Sequence, residues 1–454
     1  MDEIAIRFDC PEIIKRRTLV VLNLISSITQ LKFRQVDSAP DIIYGETEDS
    51  CKLHIPLIDY EFSRNEWQLF NGRSRLLLPG FILARSLAVI DNKLGIDLFK
   101  LAYLFLVEGL NGKNKPRWSL ERINTGLRHI YPFFNSYIDL FIDLLKAAGI
   151  LSELYLRPSP WPSQAQFAVG LSHDIDILKR KLPGGMIMLS KAAFSSDIPG
   201  GIGGSTVGLM SSLKSTVTFG KDPYNQLDKW TTLDGSATYF VFSGHRKSAN
   251  DPTYKAEQVA KALNGLDSTG IEIALHNGIG TSGSSKDLQE NQQRLQELFK
   301  TEIKGIRPHY LDFELPEFWN KAKSFGYTSS IGSDSVPGFT GGINHPFFGF
   351  NFESGEATDV LELPIGIMDC ALFAIKDNVL RERTIEDIIA NCKNTNGLLV
   401  LDWHQRTAFA PDFPGWLETY EQILHKAKSA GAYIASLGEI DRFWRTQCKS
   451  VFLS

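Results

Sequence analysis

The sequence predicts an α/β protein in which a parallel (β/α) barrel follows a smaller N-terminal α/β domain. Beyond residue 160, short apolar runs alternate with amphipathic stretches. Eight runs fit buried strands: QFAVGLSHD, GSATYFVFSG, GIEIALH, GIRPHYL, GYTSSIGS, VLELPIGIM, GLLVLDWH and GAYIASL. Helical stretches such as YKAEQVAKALNGL and KDLQENQQRLQELFK separate them. Strands that alternate with amphipathic helices indicate a parallel sheet, and eight of them suit a barrel.

A proline-rich segment predicts where the two domains meet. Residues 156–164, LRPSPWPSQ, hold three prolines in nine residues, which favours a linker. Residues 1–160 contain the strand-like runs IAIRF, LVVLNLI, DIIYG and KLHIPL, then helical patterns over Leu98–Glu108 and Ser136–Ala148. We assign them to an N-terminal α/β domain of unknown role, and residues 165–454 to the barrel.

A glycine- and serine-rich stretch interrupts the barrel pattern at about residues 181–220. It directly follows the first strand of the second domain and also contains apolar runs. A lid over the pocket and a helical hairpin packed beside the barrel both fit this composition. We predict an insertion here and leave the two forms open.

The composition indicates an ordinary globular protein. Of 454 residues, 43% are hydrophobic and 22% charged, with a net charge of −4, so no global charge favours nucleic acid or an anionic membrane. The N-terminus lacks an apolar signal core, and Leu76–Ile90, the most apolar region, is too short to span a bilayer. Five scattered cysteines without CxxC spacing fit a reducing compartment. These features predict a soluble cytoplasmic protein with a small or neutral partner; the oligomeric state is open.

Polar residues stand at the ends of the predicted strands. They are His173, Asp174, His276, Arg307, His309 and His404. In parallel α/β domains the functional residues collect at the carboxyl ends of the strands. Each residue also has an ordinary structural explanation: the acids as helix caps, the histidines as hydrogen-bonded strand ends, the arginine as a surface ion-pair partner. As a set, they favour a metal or acid–base site.

A series of short motifs in a fixed order resembles the polysaccharide deacetylases, also called NodB-homology or carbohydrate esterase family four proteins. The motifs are SHDID (172–176), ATYFVFSG (237–244), IEIALH (271–276), GIRPHYLDF (305–313), GYTSSIG (326–332), HPF (345–347), LELPIGIMD (361–369) and LLVLDWH (398–404). The resemblance covers about residues 165–445 and is closest to a bacterial branch with an extra N-terminal domain. It implies a distorted (β/α) barrel in which a divalent metal helps to hydrolyse an N-acetyl group from a sugar.

The resemblance also implies a role for each matching residue. Asp174 matches the base that takes a proton from the attacking water, and Arg307 matches the arginine that keeps this base ionised. Asp176 and His276 match metal ligands, and His404 matches the acid that protonates the leaving amine. This division of roles is chemically sensible, because amide hydrolysis needs an activated water, a Lewis acid and a proton donor.

One metal ligand of the family is missing. The family supplies a second histidine four residues after the first, where this chain has Gly280. Catalytic zinc takes three protein ligands and a water, so we predict that His309 replaces it, with His173 a weaker candidate. The expected metal is zinc, with manganese or cobalt as alternatives. The branch also tends to carry an arginine where GFTGG places Thr340.

Further residues are expected around the site. Asp334, Asp369 and Asp402 can each orient His404, and we favour Asp369 because it ends another strand. As substrate-binding residues we predict Tyr310, Trp403, Asp369 and His345. Other aromatic residues of this domain are Trp230, Tyr239, Phe347, Phe348, Phe409 and Trp416. We expect Tyr239 in the core. Trp403 and Phe409 flank His404 in the sequence, and we expect them in a pocket wall.

These observations favour a metal-dependent hydrolase that acts on an N-acetylated sugar or glycan precursor. A catalytically degenerate barrel that binds glycan or acts in polysaccharide assembly is the alternative, which the missing histidine favours. A related C–N hydrolase acting on a non-sugar amide is a third hypothesis. The chain has no GxGxxG, GxxxxGK[ST], GxSxG or HExxH motif, which lowers the odds for nucleotide enzymes, serine hydrolases and zincins.

Overall fold

The computed structural model of the chain describes residues 3–47, 49–58, 67–71, 75–79, 89–90, 92–110, 130–180, 206–207, 209–210, 222–264, 266 and 270–448. The predicted insertion at 181–220 lies outside these residues apart from 206–207 and 209–210.

The N-terminal part is built on a six-stranded sheet with the order β2-β1-β3-β4-β8-β7. Its strands are β1 (Ile4–Asp9), β2 (Phe33–Gln35), β3 (Ile42–Gly45), β4 (Leu53–Pro56), β7 (Val89–Ile90) and β8 (Lys93–Leu94). Neighbouring strands are parallel except β7 and β8. A separate antiparallel pair consists of β5 (Trp67–Asn71) and β6 (Arg75–Pro79). The predicted α/β class of this part is confirmed.

One predicted N-terminal strand is wrong. The run LVVLNLI lies inside helix α1 (Glu12–Thr29), which buries Val21, Leu22 and Ile25. A short apolar run fits a buried strand and a buried helix face equally well by periodicity. The apolar pattern continues to Ile28, a length that favours the helix.

The second part is a ten-stranded sheet with the order β14-β15-β13-β12-β11-β10-β9-β17-β16, with β18 beside β9. Its strands are β9 (Phe167–Ile175), β10 (Ala237–Phe242), β11 (Ile271–Asn277), β12 (Gly305–Pro308), β13 (Tyr327–Thr328), β14 (Phe347–Phe350), β15 (Ala357–Glu362), β16 (Ile365–Met368), β17 (Leu398–Asp402) and β18 (Ala432–Ser436). All pairs are parallel except β14 with β15. Among the described residues β14 and β16 do not pair, so the predicted distorted barrel is confirmed in an open form.

Helices connect and cover the strands. After α1 they are α2 (Leu98–Leu110), α3 (Phe134–Ala147), α4 (Leu227–Asp234), α5 (Ala256–Leu263), α6 (Ser285–Phe299), α7 (Glu317–Lys321), α8 (Asp369–Ala374), α9 (Asn378–Thr395), α10 (Trp416–Ser429) and α11 (Leu437–Cys448). Ser284 and Asp377 cap α6 and α9 through their side chains, as short polar residues do at helix starts. None of the described helices has the length and apolarity needed to cross a membrane.

Strand β9 runs through the middle of the sheet and carries the first site residues. All nine of its residues are buried, because β17 pairs along one edge while β10 and β18 share the other. At Gly170 a Cβ would come within 2.6 Å of the Leu437 side chain, so glycine allows α11 to pack closely. Side chains alternate along a strand, which places Ser172 and Asp174 on the opposite face from His173.

The buried apolar residues of the N-terminal part and of the second part belong to one continuous core. Tyr103 of α2 donates its hydroxyl to the backbone oxygens of Asn351 and Phe352, at 3.2 and 2.9 Å. The Asn135 amide donates to Asn344 Oδ1 at 2.9 Å. The apolar core continues past residues 160 and 165, so it does not mark the predicted domain limits. These limits stay a prediction.

Candidate active site

The candidate site lies at the carboxyl ends of adjacent parallel strands. The register pairs Phe242 with His276, and His276 with Arg307. It also pairs Asp402 with Ser172. Parallel strands end at one edge of a sheet, so residues far apart in the sequence meet there.

Arg307 is the buried centre of this edge. Its Nη1 lies 2.8 Å from Asp174 Oδ1 and 2.9 Å from Asp402 Oδ1. Its Nη2 donates to the hydroxyls of Ser172 and Ser329, both at 2.9 Å, and its Nε donates to the Ser329 carbonyl at 3.0 Å. Four of its N–H groups thus donate hydrogen bonds, and the guanidinium also forms an ion pair with Asp402, whose two buried oxygens make no hydrogen bond.

The two carboxylates on Arg307 differ in their affinity for a proton. Burial opposes ionisation of both. At Asp174 the charges of Arg307 and His276 outweigh burial and lower its pKa. At Asp402 burial dominates and raises its pKa to about 7. Asp174 is therefore the carboxylate that stays ionised near neutral pH, as a general base must.

Three side chains converge beside Asp174. One ligand atom from each of Asp176, His276 and His309 lies within 4.8 Å of the others. Asp176 Oδ1 is 3.3 Å from His276 Nε2 and 3.5 Å from His309 Nε2. Asp176 Oδ1 and His276 Nε2 are buried and make no hydrogen bond. Buried polar atoms normally have partners, so this pair of atoms indicates a place for a ligand.

Each of the two imidazoles, those of His276 and His309, also has an oxygen atom near its Nδ1. His276 donates from Nδ1 to the Arg307 carbonyl at 3.0 Å, which leaves Nε2 facing Asp176. His309 Nδ1 lies 3.6 Å from Asp251 Oδ1. Burial and the charge of His276 lower the pKa of His309 to about 4, so its ring is neutral at neutral pH. The pKa of His276 is raised by Asp174 and Asp176 in spite of burial.

The residues fit a divalent metal ion. Two imidazole nitrogens and one carboxylate oxygen are a ligand set for catalytic zinc, which keeps a further position open. Histidine ligands usually donate their second N–H to a carbonyl or carboxylate, and both histidines face such groups here. The group formed by Asp176, His276 and His309 is the one predicted from the sequence.

Gly280 stands at the position that carries the second histidine in the predicted family. Its φ is +73°, in the left-handed region, and a Cβ there would have no atom within 4 Å. Its N–H donates to Asp312 Oδ2 at 2.7 Å. The loop after β11 therefore has a backbone conformation here that favours glycine over histidine.

His404 approaches Asp176 from the other side. Its Nε2 is 3.1 Å from Asp176 Oδ2, which is also 3.1 Å from Arg406 Nη1. Asp369 accepts both the His404 backbone N–H and its Nδ1, each at 2.8 Å. Burial opposes protonation of His404, but the Asp369 carboxylate raises its pKa well above the usual range. A protonated His404 is suited to give a proton to a leaving group.

Of the three acids considered as partners of His404, Asp369 makes the contact. Asp402 faces Arg307 instead. Asp334 is exposed and accepts from the Ser335 hydroxyl at 2.6 Å. Asp369 is itself buried behind His404. This position suits its predicted role of orienting the imidazole, but not its predicted role of contacting the substrate.

Two predicted substrate-binding residues are wrong. Trp403 is fully buried and packs against Phe373 and Tyr420 in the core. It lies between Asp402 and His404, and alternation along the strand turns it to the opposite face. His345 is also fully buried, near Trp444, and burial lowers its pKa to about 3.

His173 likewise faces away from the site. Its Nδ1 donates to the Trp403 carbonyl at 2.7 Å, and its Nε2 contacts Asp234 Oδ2 at 2.6 Å. Both ring nitrogens are thus used on the far face of the sheet. The weaker prediction, that His173 replaces the missing ligand, is wrong in this arrangement.

Tyr310 lies at the rim of the site. Its side chain is 60% exposed, and its ring meets His309 edge to face with 4.7 Å between centroids. It sits in the short 3₁₀ turn His309–Leu311 with a φ of 57°. This conformation holds the ring outward, next to the converging ligands.

Two site residues escaped the sequence analysis. Arg406 contacts Asp176, and its position two residues after His404 was the available signal. Asp251 faces His309 from the loop after β10. It stands in SANDPTYK, a polar stretch that carries no motif.

Comparisons with known proteins give similarity at the level of solved structures. No protein-family model and no curated protein matches the chain. The chain is similar to a protein assigned as a polysaccharide deacetylase from Mycobacterium smegmatis, with 15% identity and a TM-score of 0.40, over 65% of this chain and 95% of that one. It is also similar to the allantoinase PuuE, with 13% identity and a TM-score of 0.39, over 64% of this chain and 95% of that one. A third similar structure is that of a protein assigned as a polysaccharide deacetylase from Pseudomonas aeruginosa, with 13% identity and a TM-score of 0.38, over 64% of this chain and 94% of that one.

Proposed function

We propose that this chain is a metal-dependent hydrolase that removes an N-acetyl group from a sugar. One observation carries the proposal: the ligand atoms of Asp176, His276 and His309 converge within 4.8 Å, between Asp174 and His404. An ionised base and a protonated acid on either side of a metal site are the groups that amide hydrolysis needs.

The metal that we propose is zinc, bound by Asp176, His276 and His309. Imidazole ligands suit zinc and cobalt, and a carboxylate also suits manganese, so both are alternatives. When bound, a divalent ion supplies Lewis acidity toward the acyl oxygen and the attacking water.

Asp174 is proposed to take the proton of the attacking water. Its Oδ1 is held by Arg307 Nη1 at 2.8 Å, whereas its Oδ2 faces the ligand group, 3.6 Å from His276 Nε2. Arg307 thus orients the carboxylate and leaves one oxygen available. Its charge also favours the ionised form of Asp174 before the proton arrives.

His404 is proposed to give a proton from Nε2 to the departing amine. Asp369 fixes the ring through Nδ1 and stabilises the imidazolium. Since amines are poor leaving groups, the breakdown of the tetrahedral species depends on this proton.

The substrate that we propose is an N-acetylated sugar, either in a glycan or in a precursor handled in the cytoplasm. Tyr310 offers an exposed ring beside the ligand group, and sugars pack their apolar faces on such rings. The alternative of a degenerate glycan-binding barrel needs neither base nor acid. The site offers both groups, with Asp174 held by Arg307 and His404 held by Asp369, which favours hydrolysis.

The test is acetate release from N-acetylglucosamine oligosaccharides by zinc-, cobalt- and manganese-loaded protein. Asp174→Asn is expected to keep the metal and to lose about 100-fold or more in rate, since general base catalysis contributes that much. Asp334→Asn, at an exposed position, is the control and is expected to match wild type. Equal rates for Asp174→Asn and wild type would remove the base from the mechanism. Absence of acetate release by every loaded form would contradict the proposed function.

A further inference from the structure

Asp251 is a buried carboxylate held by three backbone groups. Its Oδ2 accepts the N–H groups of Lys247 and Ser248, both at 2.9 Å. Its Oδ1 accepts the N–H of Ile279 at 2.9 Å. The first two donors belong to its own loop, and the third belongs to the loop that follows His276. Asp251 therefore joins the two loops and has a fixed position.

The same Oδ1 also faces His309. It lies 3.6 Å from His309 Nδ1, which is buried and makes no hydrogen bond. The opposite nitrogen of that ring, Nε2, points toward Asp176 Oδ1. The His309 ring thus stands between a carboxylate anchored to backbone and the carboxylate of the ligand group.

A glycine makes room for this arrangement. At Gly278 a Cβ would come within 3.2 Å of both Asp251 oxygens and 2.9 Å of the Phe242 ring. A larger residue would require the Phe242 ring to shift and the Asp251 carboxylate to move by a few tenths of an ångström. The loop between His276 and Gly280 thus packs closely against the Asp251 carboxylate.

From these contacts we infer that Asp251 is a positioning residue, which holds His309 with its proton on Nδ1 and its Nε2 lone pair directed at the metal site. The inference rests on the proposed function. His309 needs such support because it stands in a short 3₁₀ turn outside the regular strands. In His276 the corresponding nitrogen, Nδ1, donates to the Arg307 carbonyl at 3.0 Å. Partners of this kind fix the tautomer and orientation of a histidine ligand.

The first test measures zinc affinity by competition with a chelator in the full chain. Asp251→Asn is expected to weaken binding by about 10–100-fold, the usual loss on removing such a partner. Asp312→Asn is the matched control: Asp312 also accepts a loop N–H, that of Gly280, and its amide oxygen can still do so. We expect it to bind zinc as wild type does. If Asp251→Asn binds as tightly as wild type, the inference fails; if wild type binds none of zinc, cobalt and manganese, the proposed function fails with it.

The second test needs no variant and so does not depend on Asp251→Asn folding. Long-range ¹H–¹⁵N NMR of the metal-free wild type assigns the proton of the neutral His309 ring. We expect the proton on Nδ1, facing Asp251. A proton on Nε2 would overturn the inference, because that nitrogen would then have no lone pair for a metal.

Discussion

A buried arginine is costly unless its donors and its charge are paired. Arg307 donates four hydrogen bonds, to one carboxylate, two hydroxyls and one carbonyl, and it forms an ion pair with Asp402. The Phe240 ring covers one face of the guanidinium, 4.1 Å away, which adds a cation–π contact. With all directions occupied, Arg307 keeps its charge fixed against Asp174.

Asp97 is a buried carboxylate outside the site whose protonation is expected to govern stability. Its oxygens accept from the Tyr44 hydroxyl, from Lys100 N at 2.9 Å and from Ile58 N at 3.3 Å. Burial raises its pKa from 3.8 to about 6 in spite of these bonds. The folded protein thus holds this proton more tightly than the unfolded chain does.

We therefore predict a pH-dependent difference between wild type and Asp97→Asn. The contribution of the Asp97 proton is complete below the ordinary pKa and is lost as pH rises through about 6. The free energy of unfolding of wild type relative to the variant should fall over that range. Urea unfolding of both proteins at intervals between about pH 4 and about pH 7 measures this difference. A difference that does not change with pH would show that Asp97 titrates alike in both states.

At the scale of the element, the site depends on how strands end. His309 follows β12 in a 3₁₀ turn, and Asp176 directly follows β9. After β11 the chain enters the left-handed conformation at Gly280. The second imidazole of the ligand group therefore comes from the next strand end, not from one turn further along the same loop.

This geometry predicts that a histidine at 280 does not replace His309. We expect the double variant Gly280→His/His309→Ala to bind zinc as weakly as His309→Ala alone. The left-handed backbone should also cost the Gly280→His variants about 1 kcal/mol of stability, measured by urea unfolding. Recovery of zinc affinity in the double variant would show that the loop readily rearranges and that Gly280 is no barrier.

The strand ends were the predictable part of the site. Alternating apolar and amphipathic runs place Asp174, Asp176, His276, Arg307 and His404 at one edge, since parallel strands share an edge. Strand alternation already predicts the facing of Trp403, whereas loops carry no such periodicity. Trp403 stands beside His404 in the sequence but on the opposite face in space. Asp251 lies in a loop, and no periodicity relates it to His309.

For the whole molecule, the class of fold follows from the strand–helix alternation, but the connections between sheets do not. The apolar core runs through both sheets, because α2 and α3 pack on loops of the barrel through Tyr103 and Asn135. Such contacts join residues more than 200 positions apart, for example Asn135 and Asn344. Local pattern carries no information on pairings at that distance.

The central claim is that one divalent metal is held by Asp176, His276 and His309. Anomalous diffraction at the zinc edge, from crystals of the full chain grown with zinc, tests it most directly. We predict one peak at about 2.0–2.2 Å from Asp176 Oδ1, His276 Nε2 and His309 Nε2, the usual distances for such ligands. A site that leaves out His309, or no peak at this edge of the sheet, would contradict the account.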